Sequence, residues 1–299
     1  SGSTTIQGVA GTSAEGTIFL TPGSDNTQIG DIGHGFKIVG FDSANPGTEV
    51  AAVYIQGANS GSKIIGNEIT AAGDEAILTE YGAAVSGLTI DHNLIDGQTF
   101  VGPNPAGQGS SQQFTLWNVP RQAVVISTGS SNTTFTNNTI TAVTGGLNAS
   151  GQEQGNSLAT IDSTGATITG NTFAGTTDYG SDALRARGTN TVISGNTFDG
   201  TNMAADTNML EVYDTALSGT FDDLLANNTF TNGAVWFDHA VTGAHNEYYV
   251  FRGINSAVSK ATAGDTVHAL AGTYEEQVVL DKSITLEGAG VGQTIIEAP

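Results

Sequence analysis

Acidic and basic side chains of the kind that act on acidic sugars recur on three short apolar segments between residues 158 and 213. The catalytic candidates are Asp162, Arg185, Arg187, Glu211 and Tyr213. A lyase or epimerase acting on a uronate needs Arg or Ca²⁺ to neutralise the sugar carboxylate and a base at C5. A glycosidase needs two carboxylates about 5 to 9 Å apart, for which Asp162, Asp182 and Glu211 are the candidates. These residues form no recognised motif, so the chemistry depends on whether the fold brings them together.

The alternation of side chains along each segment predicts which residues share a surface. Successive residues of a β-strand point to opposite faces. The residues expected to face inward are Val53, Ile55, Val124, Ile126, Leu184, Ala186, Leu210 and Val212. The outward residues expected to contact a substrate are Tyr54, Glu80, Asp162, Arg185, Arg187, Tyr213, Trp236 and Asp238. Aromatic rings can stack on sugars, and arginines can pair with uronate carboxylates.

Three long insertions, at residues 96–120, 144–157 and 174–182, are expected to border this outward face and make it a groove. Loops carried on a rigid scaffold often hold binding sites. The alternative interpretation is a solvated sheet face on which Arg and Glu pair across adjacent strands. The acid–imidazole neighbours Asp91–His92 and Asp238–His239 are expected on opposite faces by alternation, so no joint role is predicted for either pair.

The elements that must position these residues belong to a repeat that occurs six times. Its copies are SKIIGNEIT, GLTIDHNLI, NTTFTNNTI, GATITGNTF, NTVISGNTF and DDLLANNTF. Each is interpreted as a short strand, an Asn and a second apolar pair, and the aligned asparagines are Asn67, Asn93, Asn138, Asn171, Asn196 and Asn228. Their spacings of 26, 45, 33, 25 and 32 residues fit a coil of constant core whose turns accept insertions.

A second apolar strand precedes each Asn segment, as in AVYIQG, AVVIST and LEVYD. Two strands and their turns then make one turn of a coil, which we call a rung. Stacked rungs lie about 4.8 Å apart, so identical Asn side chains can form an amide ladder. Over residues 30–240 the rungs resemble the parallel β-helix repeats of pectate-lyase-like proteins. The resemblance implies an all-β fold, a right-handed parallel β-helix (a solenoid), which in those families holds polysaccharide on the outward face.

Composition supports an all-β chain and excludes several classes of partner. The chain has 299 residues, of which 41 are Gly and only 6 are Pro, as expected for many tight turns rather than a disordered linker. A formal net charge of −21 argues against nucleic acid and anionic membrane surfaces. The lack of Cys excludes disulfides and thiolate chemistry. No apolar run has the length of a membrane span. No motif requires a cofactor, and the metal content is left open, although surplus carboxylates are compatible with Ca²⁺.

Residues 246–299 resemble the N-terminal entry of such a β-helix, although they lie at the C-terminal end of the chain. Ile254, Ala257, Val258 and Ala261 have the spacing of a short amphipathic helix, and the strand segments TVHAL, EQVVL and SITLEG follow. In the proteins that the rungs resemble, such a helix covers the first rung, whose open edge otherwise invites pairing with other chains. We therefore divide the chain into β-helix rungs at 1–245 and a cap-like C-terminal segment at 246–299.

Residues 1–20, by contrast, start as though a rung were already under way. Two arrangements follow: one period of a tandem array, or a subunit whose C-terminal segment completes the next copy and so generates a filament. A third arrangement folds the segment back on its own last rung. We expect the segment to be ordered only by stacking, either near Trp236 of its own chain or near Ile6 and Ile18 of a neighbour.

These observations predict a structural and adhesive β-helical module of an extracellular bacterial surface protein. Its expected partners are copies of itself, head to tail, and an acidic polysaccharide in the groove. The alternative is a polysaccharide lyase, epimerase or glycoside hydrolase acting on an acidic polysaccharide. The sequence does not select the substrate.

Overall fold

The computed structural model confirms an all-β chain with a short helix near the C-terminus, and it adds a second helix. It describes residues 4–8, 16–40, 51–71, 75–97, 122–141, 157–175, 182–204, 207–213, 216–239 and 242–299. Most of the three insertions expected to border the outward face lies outside these residues. The helices are α1, Phe221–Ala226, and α2, Ile254–Lys260. In the described part of the chain, no helix is long and apolar enough to span a membrane.

The strands are short and are numbered in chain order. Those before residue 98 are β1 Thr4–Gln7, β2 Gly16–Leu20, β3 Gln28–Ile29, β4 Phe36–Val39, β5 Ala51–Ile55, β6 Asn59–Ser60, β7 Lys63–Ile65, β8 Glu68–Ala71, β9 Glu75–Thr79, β10 Val85–Ser86, β11 Thr89–Asp91 and β12 Leu94–Gly97. Those between residues 122 and 213 are β13 Val124–Ile126, β14 Thr134–Thr136, β15 Thr139–Ile140, β16 Ser157–Ile161, β17 Thr167–Thr169, β18 Thr172–Phe173, β19 Asp182–Ala186, β20 Val192–Ser194, β21 Thr197–Phe198 and β22 Asn208–Tyr213. The remaining strands are β23 Thr229–Phe230, β24 Ala234–Asp238, β25 Glu247–Val250, β26 Thr266–Ala269, β27 Gly272–Glu275, β28 Thr285–Gly288 and β29 Thr294–Glu297.

Three sheets contain most of these strands, and in each sheet the strand order follows the chain. The long sheet is β2-β5-β9-β13-β16-β19-β22-β24-β25-β26-β28. The second sheet is β3-β7-β11-β14-β17-β20, and the third is β1-β4-β8-β12-β15-β18-β21-β23. The chain visits the three sheets in turn, as in β5, β7 and β8, and then returns to β9 in parallel beside β5. Each complete repeat therefore adds one strand to each sheet.

A repeat contains three strands rather than the two expected, because a bend at the Asn separates the last two. In the fourth repeat β17 belongs to the second sheet and β18 to the third, with Asn171 between them. The residue before the Asn has a positive φ in the first five repeats: Gly66 68°, His92 53°, Asn137 53°, Gly170 69° and Gly195 68°. Gly and Asn tolerate this left-handed backbone, which turns the chain from one sheet into the next.

The asparagines at these bends form a ladder of hydrogen bonds. Asn171 is 1% exposed, and its Nδ2 donates to Asn196 Oδ1 at 2.9 Å and to the Phe135 carbonyl at 2.8 Å. Its Oδ1 accepts from the backbone N–H of Asn138 at 2.9 Å. Equivalent bonds from backbone N–H to the next Oδ1 join all six, Asn67, Asn93, Asn138, Asn171, Asn196 and Asn228. Because these buried groups lose their partners if a rung shifts, the ladder holds the repeats in register.

On the long sheet, the core lies on the face to which alternation assigned the apolar residues. Every residue expected inward on the long sheet is fully buried, at 0% exposure: Val53, Ile55, Val124, Ile126, Leu184, Ala186, Leu210 and Val212. On the third sheet Phe173 stacks on Phe198 and Phe198 on Phe230, each pair with ring centroids 4.9 Å apart. Phe251 stacks on Phe230 at 4.9 Å and closes this column of rings.

The sixth repeat is a helix where a strand was expected. In DDLLANNTF the segment before Asn228 belongs to α1, and the Thr220 hydroxyl caps the helix by accepting from the Asp223 N–H at 3.1 Å. Two acidic residues in the first turn and the Leu-Leu-Ala run also favour a helix over a β-branched strand. Asn228 keeps its place in the ladder and donates to the Leu224 carbonyl at 2.8 Å.

The C-terminal segment continues the long sheet. β25 pairs with β24 in antiparallel fashion, with Trp236 opposite Tyr248, and β26 and β28 then add in parallel. The predicted helix face is buried: Ile254, Ala257, Val258 and Ala261 are at most 2% exposed. These residues pack with Tyr248 and Val250 of β25 in a core separate from that of the rungs. The segment therefore packs on β24 of the same chain, beside Trp236.

Candidate functional site

The catalytic candidates meet on the outward face of the long sheet. Strand register places Arg185 of β19 between Thr160 of β16 and Glu211 of β22. Asp162 and Arg187 are the first residues after β16 and β19, two positions beyond Thr160 and Arg185, and Tyr213 is the last residue of β22. We call the set on these three strands the outer-face cluster: Asp162, Asp182, Arg185, Arg187, Asn208, Glu211 and Tyr213.

Glu211 is the centre of the outer-face cluster. Its side chain is 0% exposed, and both carboxylate oxygens accept from arginines: Oε2 from Arg185 Nε at 2.6 Å and Oε1 from Arg187 at 2.9 Å. A second nitrogen of Arg185 donates to Asp182 Oδ2 at 2.8 Å. The Arg187 guanidinium lies over the Tyr213 ring, 4.9 Å from its centroid. These arginines are thus engaged by carboxylates of the protein itself, as in the alternative that pairs Arg and Glu across strands.

A chain of polar contacts connects this cluster to the C-terminal segment. Asp182 Oδ1 accepts from Asn208 Nδ2 at 2.8 Å, and Asn208 Oδ1 accepts from Lys260 of α2 at 3.1 Å. Ser157 donates to Asp182 Oδ2 at 3.3 Å. The positive charge of Lys260 acts on the buried Asp182, so the C-terminal segment contributes to the electrostatics of the cluster.

Sequence reasoning missed Asn208 and Lys260. Alternation from the inward Leu210 also points Asn208 inward, but a register irregularity between Asn208 and Leu210 breaks the alternation. Lys260 is 52 residues from Asn208 and approaches it only because the C-terminal segment adds to the long sheet. No local signal in the sequence identifies that contact.

Burial controls the charge of the acids in this cluster. Burial first, and then repulsion from Glu211, raise the pKa of Asp182 to about 6, while Arg185 and Asn208 act in the opposite direction. Burial also raises the pKa of Asp162, and the positive charges of Arg187 and Arg185 partly offset that effect. Both carboxyls therefore hold a proton at higher pH than ordinary aspartates do.

The raised pKa of Asp182 predicts a pH-dependent stability. A carboxyl whose pKa is higher in the folded state binds more protons there, so folding stability falls as pH rises from the unfolded pKa near 3.8 to the folded pKa of about 6. Compared with Asp182→Asn, which lacks this titration, the wild-type protein should lose on the order of 2 kcal/mol over that interval. Urea unfolding of both proteins at pH 4, 5, 6 and 7 measures the difference, and a constant difference across the series contradicts the prediction.

Three neighbouring polar atoms around β16 and β19 find no hydrogen-bond partner among the residues that the structure describes. They are Thr160 Oγ1, Asp162 Oδ1 and Arg187 Nε, on the adjacent strand regions of β16 and β19. Thr160 is only 8% exposed. Buried polar atoms normally have partners, so this small patch holds three unsatisfied hydrogen-bonding groups.

The other substrate-contact candidates have partners of their own. Tyr54 stacks on Phe19 at 5.4 Å and lies on β5, three strands from Thr160, or about 14 Å. Glu80 accepts from the Gly57 N–H at 2.8 Å. Trp236 stacks on Tyr248 of β25 at 5.9 Å. Asp238 lies beside Tyr213 in the register of β22 and β24. The structure thus brings Asp162, Arg185, Arg187 and Tyr213 together and leaves Tyr54 and Glu80 apart from them.

One pair expected on opposite faces is in contact. His92 Nδ1 lies 2.8 Å from Asp91 Oδ2, because the positive φ of His92 breaks the alternation at the bend. Asp91 also accepts from Thr136 at 2.7 Å and Asn137 at 3.0 Å. Together these donors lower the pKa of Asp91 against the opposing effect of burial. Within the described ranges no group of three or more His, Asp or Glu is arranged to hold a metal ion.

Comparison with known proteins adds little to this geometry. No family model matches the chain, and no curated protein matches it. Among solved structures, an alginate lyase from Paenibacillus sp. str. FPU-7 aligns over 98% of this chain and 99% of its own, at 11% sequence identity and a TM-score of 0.24. Identity and TM-score this low carry neither a fold nor a function to the present chain.

Proposed function

We propose that this chain is a structural module of an extracellular bacterial surface protein, a right-handed parallel β-helix that continues head to tail from one unit to the next. The three sheets are then the faces of the helix, and the C-terminal segment begins the following unit. A tandem array and a filament of separate subunits are two forms of the same arrangement.

The observation that carries this proposal is a long sheet with complementary open ends. Among the described residues, nothing pairs with the outer edge of β2 at one end or of β28 at the other. Apolar side chains are also exposed beside the second end: Leu280 53%, Val291 107%, Ile295 42% and Ile296 47%. Open parallel edges next to exposed apolar residues favour the addition of further strands.

The outer-face cluster supports a structural role as well. Both oxygens of Glu211 accept from arginines of the neighbouring β19 region, and a second nitrogen of Arg185 is bonded to Asp182 of its own strand. A ligand carboxylate at these bonded nitrogens would have to displace a buried carboxylate, which costs several kcal/mol. Cross-strand pairing of this kind instead fixes β19 against β22.

Association through the C-terminal end is tested by Ile295→Lys together with Ile296→Lys. Both residues are exposed in the single chain, so its folding should be unchanged, whereas their burial in an assembly should be lost. We expect the association constant to fall by roughly thirty-fold, which corresponds to about 2 kcal/mol. Sedimentation and electron microscopy at high protein concentration, with and without Ca²⁺, provide the measurement.

The matched control is Val192→Lys, which adds charge at an exposed apolar residue on β20, away from both ends of the long sheet. It should leave association unchanged. A protein that stays monomeric at high concentration excludes the filament form and leaves the array form. Equal association of the Ile295/Ile296 variant and the control contradicts a contact at this end.

A second candidate function is turnover of an acidic polysaccharide, as a lyase, epimerase or hydrolase. It is favoured by the unpaired Asp162 Oδ1 and Arg187 Nε on one face. In a lyase reaction, Arg187 would neutralise the uronate carboxylate and Asp162 would take the C5 proton. The electrons of the C5–H bond would form a C4=C5 double bond as the C4–O bond breaks, and solvent water would protonate the leaving oxygen. The raised pKa of Asp162 makes its carboxylate a stronger base than that of an ordinary aspartate.

A panel of alginate, pectate and related polymers, assayed for unsaturated products and new reducing ends, tests this candidate. Activity that Asp162→Asn abolishes would establish it. Absence of turnover, together with unchanged polymer affinity in an Arg185→Ala, Arg187→Ala double variant, would exclude both the enzymatic function and polysaccharide binding in the groove.

A further inference from the structure

The long sheet reverses its strand direction once, at the boundary of the C-terminal segment. From β2 to β24 every neighbouring pair is parallel. β24 and β25 are antiparallel, and β25, β26 and β28 are parallel to one another. The last three strands therefore run opposite to the first eight, although they belong to the same sheet.

The core changes face at the same step. On β24, Val235 and Phe237 belong to the core of the rungs, whereas Ala234 and Trp236, on the other face, join the core of the C-terminal segment. Val267 and Leu286 continue that second core in register with Tyr248. The C-terminal segment thus builds its interior on the outward face of the rungs.

The interior of the rungs is closed where this change occurs. Phe221 of α1 packs on Phe237 and on Tyr249, each with ring centroids 4.4 Å apart. Phe251 ends the column of stacked phenylalanines. One coil therefore finishes under α1 while the sheet itself runs on into the next coil.

Reversing both the strand direction and the core face is equivalent to a half-turn about the direction in which the strands stack. A half-turn about this axis preserves handedness and the direction of advance along the sheet. It moves the interior of the coil to the opposite side of the sheet. The new coil is thus displaced sideways and does not continue the old one along a common axis.

The last strand of the chain resembles the first. β29 has the sequence TIIE and β1 the sequence TTIQ, which share Thr at the first position and Ile at the third, with Thr294 290 residues after Thr4. In β29, Ile296 pairs with the buried Tyr274, and in β1, Ile6 pairs with the buried Ile38. If β29 takes the place of β1, these pairs join into one apolar row, Tyr274, Ile296 and Ile38.

Resting on the proposed function, we propose that a second copy of this chain follows the C-terminal segment with β29 in the place of β1 and β2 in parallel on the edge of β28. Inward residues then align as Val267, Leu286, Ile18 and Val53, which sets Glu287 beside Phe19 on the other face. Successive copies lie on alternate sides of one continuous sheet, related by half-turns. The partner that fits the open edge is a second copy of the chain.

Imaging of a covalent array tests the arrangement. The array is one polypeptide that contains three copies of residues 1–290 followed by one copy of residues 1–299. Each junction then has β1 of the following copy in the place of β29, as proposed. Class averages from negative-stain electron microscopy show the outline of the particle. We expect a zigzag in which the first and third units lie on one side and the second and fourth on the other. A straight rod overturns the alternation but leaves head-to-tail stacking, and hence the proposed function, intact.

A cross-link decides separately whether the units stack. The chain has no Cys, so Glu287→Cys in one unit and Phe19→Cys in the next form the sole thiol pair at a junction. Paired Cα atoms on neighbouring strands are about 4.8 Å apart, which lies within the range of about 4.4 to 6.8 Å found for disulfides. We expect near-complete oxidation for this pair and none for Glu275→Cys with Phe19→Cys. Failure of the first pair, with units at unrelated angles in the images, overturns the arrangement and the proposed function together.

Discussion

Glu211→Gln is expected to lower the free energy of unfolding by about 3 kcal/mol, since removing one partner of a buried ion pair leaves the other charge uncompensated. The carboxylate of Glu211 is 0% exposed and accepts from two arginines whose side chains are 21% and 33% exposed. Gln has nearly the same shape but lacks the charge, and one of its two polar atoms presents hydrogens to a guanidinium. Partial exposure of the arginines places the expected loss at the lower end of the range for buried pairs. Urea unfolding at pH 7 measures it.

The control for this prediction is Glu68→Gln. Glu68 pairs with Lys37 across β4 and β8, and both side chains are at least 40% exposed. Exposed pairs of this kind contribute less than about 1 kcal/mol because water screens them. Equal stability losses in the two variants would mean that Glu211 does not hold β19 and β22 together. Unchanged spectra and oligomeric state in Glu211→Gln would show that the fold itself persists.

Much of the repeat could be predicted because its signals are local. A β-branched strand, a left-handed residue and an Asn recur in order, and all eight residues that alternation assigned to the interior of the long sheet are fully buried. The division of each repeat into three strands was less accessible. It depends on the bend at the Asn, where the preceding residue has a positive φ. A Gly at that position suggests such a bend, whereas His92 and Asn137 signal it less clearly by residue type.

The helix at α1 shows where a repeat pattern misleads. DDLLANNTF aligns with five strand-forming copies, yet its own residues favour a helix: Thr220 as the cap, then Asp222 and Asp223 in the first turn. Local propensity prevailed over the alignment here because the last rung has no further rung to pair with. The helix covers the end of the core in place of another strand.

The charged cluster was predicted in its members and not in its contacts. Alternation placed Arg185, Arg187 and Glu211 on one face, but it could not show that Glu211 engages both arginines at once. That depends on strand register, which insertions of different length between repeats conceal. The contribution of Lys260 depends on the reversal at β25, and nothing in the sequence near Lys260 signals it.

Removal of residues 246–299 is expected to destabilise the remaining rungs by at least about 4 kcal/mol, the value of two to three large apolar side chains returned to water. The truncation uncovers Ala234 and Trp236, removes Tyr249 from Phe221, and takes Phe251 from the end of the phenylalanine column. It also opens the edge of β24, so aggregation should increase. Thermal unfolding measures the loss. In a Trp117→Phe background Trp236 is the sole Trp, and its emission should shift to longer wavelength when Tyr248 no longer covers it.

A shorter truncation separates this effect from the loss of chain length. Deleting residues 292–299 removes β29, whose last three residues are exposed and whose strand partner is β27. That variant should keep the emission wavelength of Trp236 and show only a small decrease in melting temperature, because the core around Tyr248 stays intact. If the long truncation behaves like the short one, the C-terminal segment is not stabilised by packing on β24 of its own chain. The segment would then find its core only against the open edge of β2 in a neighbouring copy, and adding it in trans should protect the amides of residues 16–20 from hydrogen exchange.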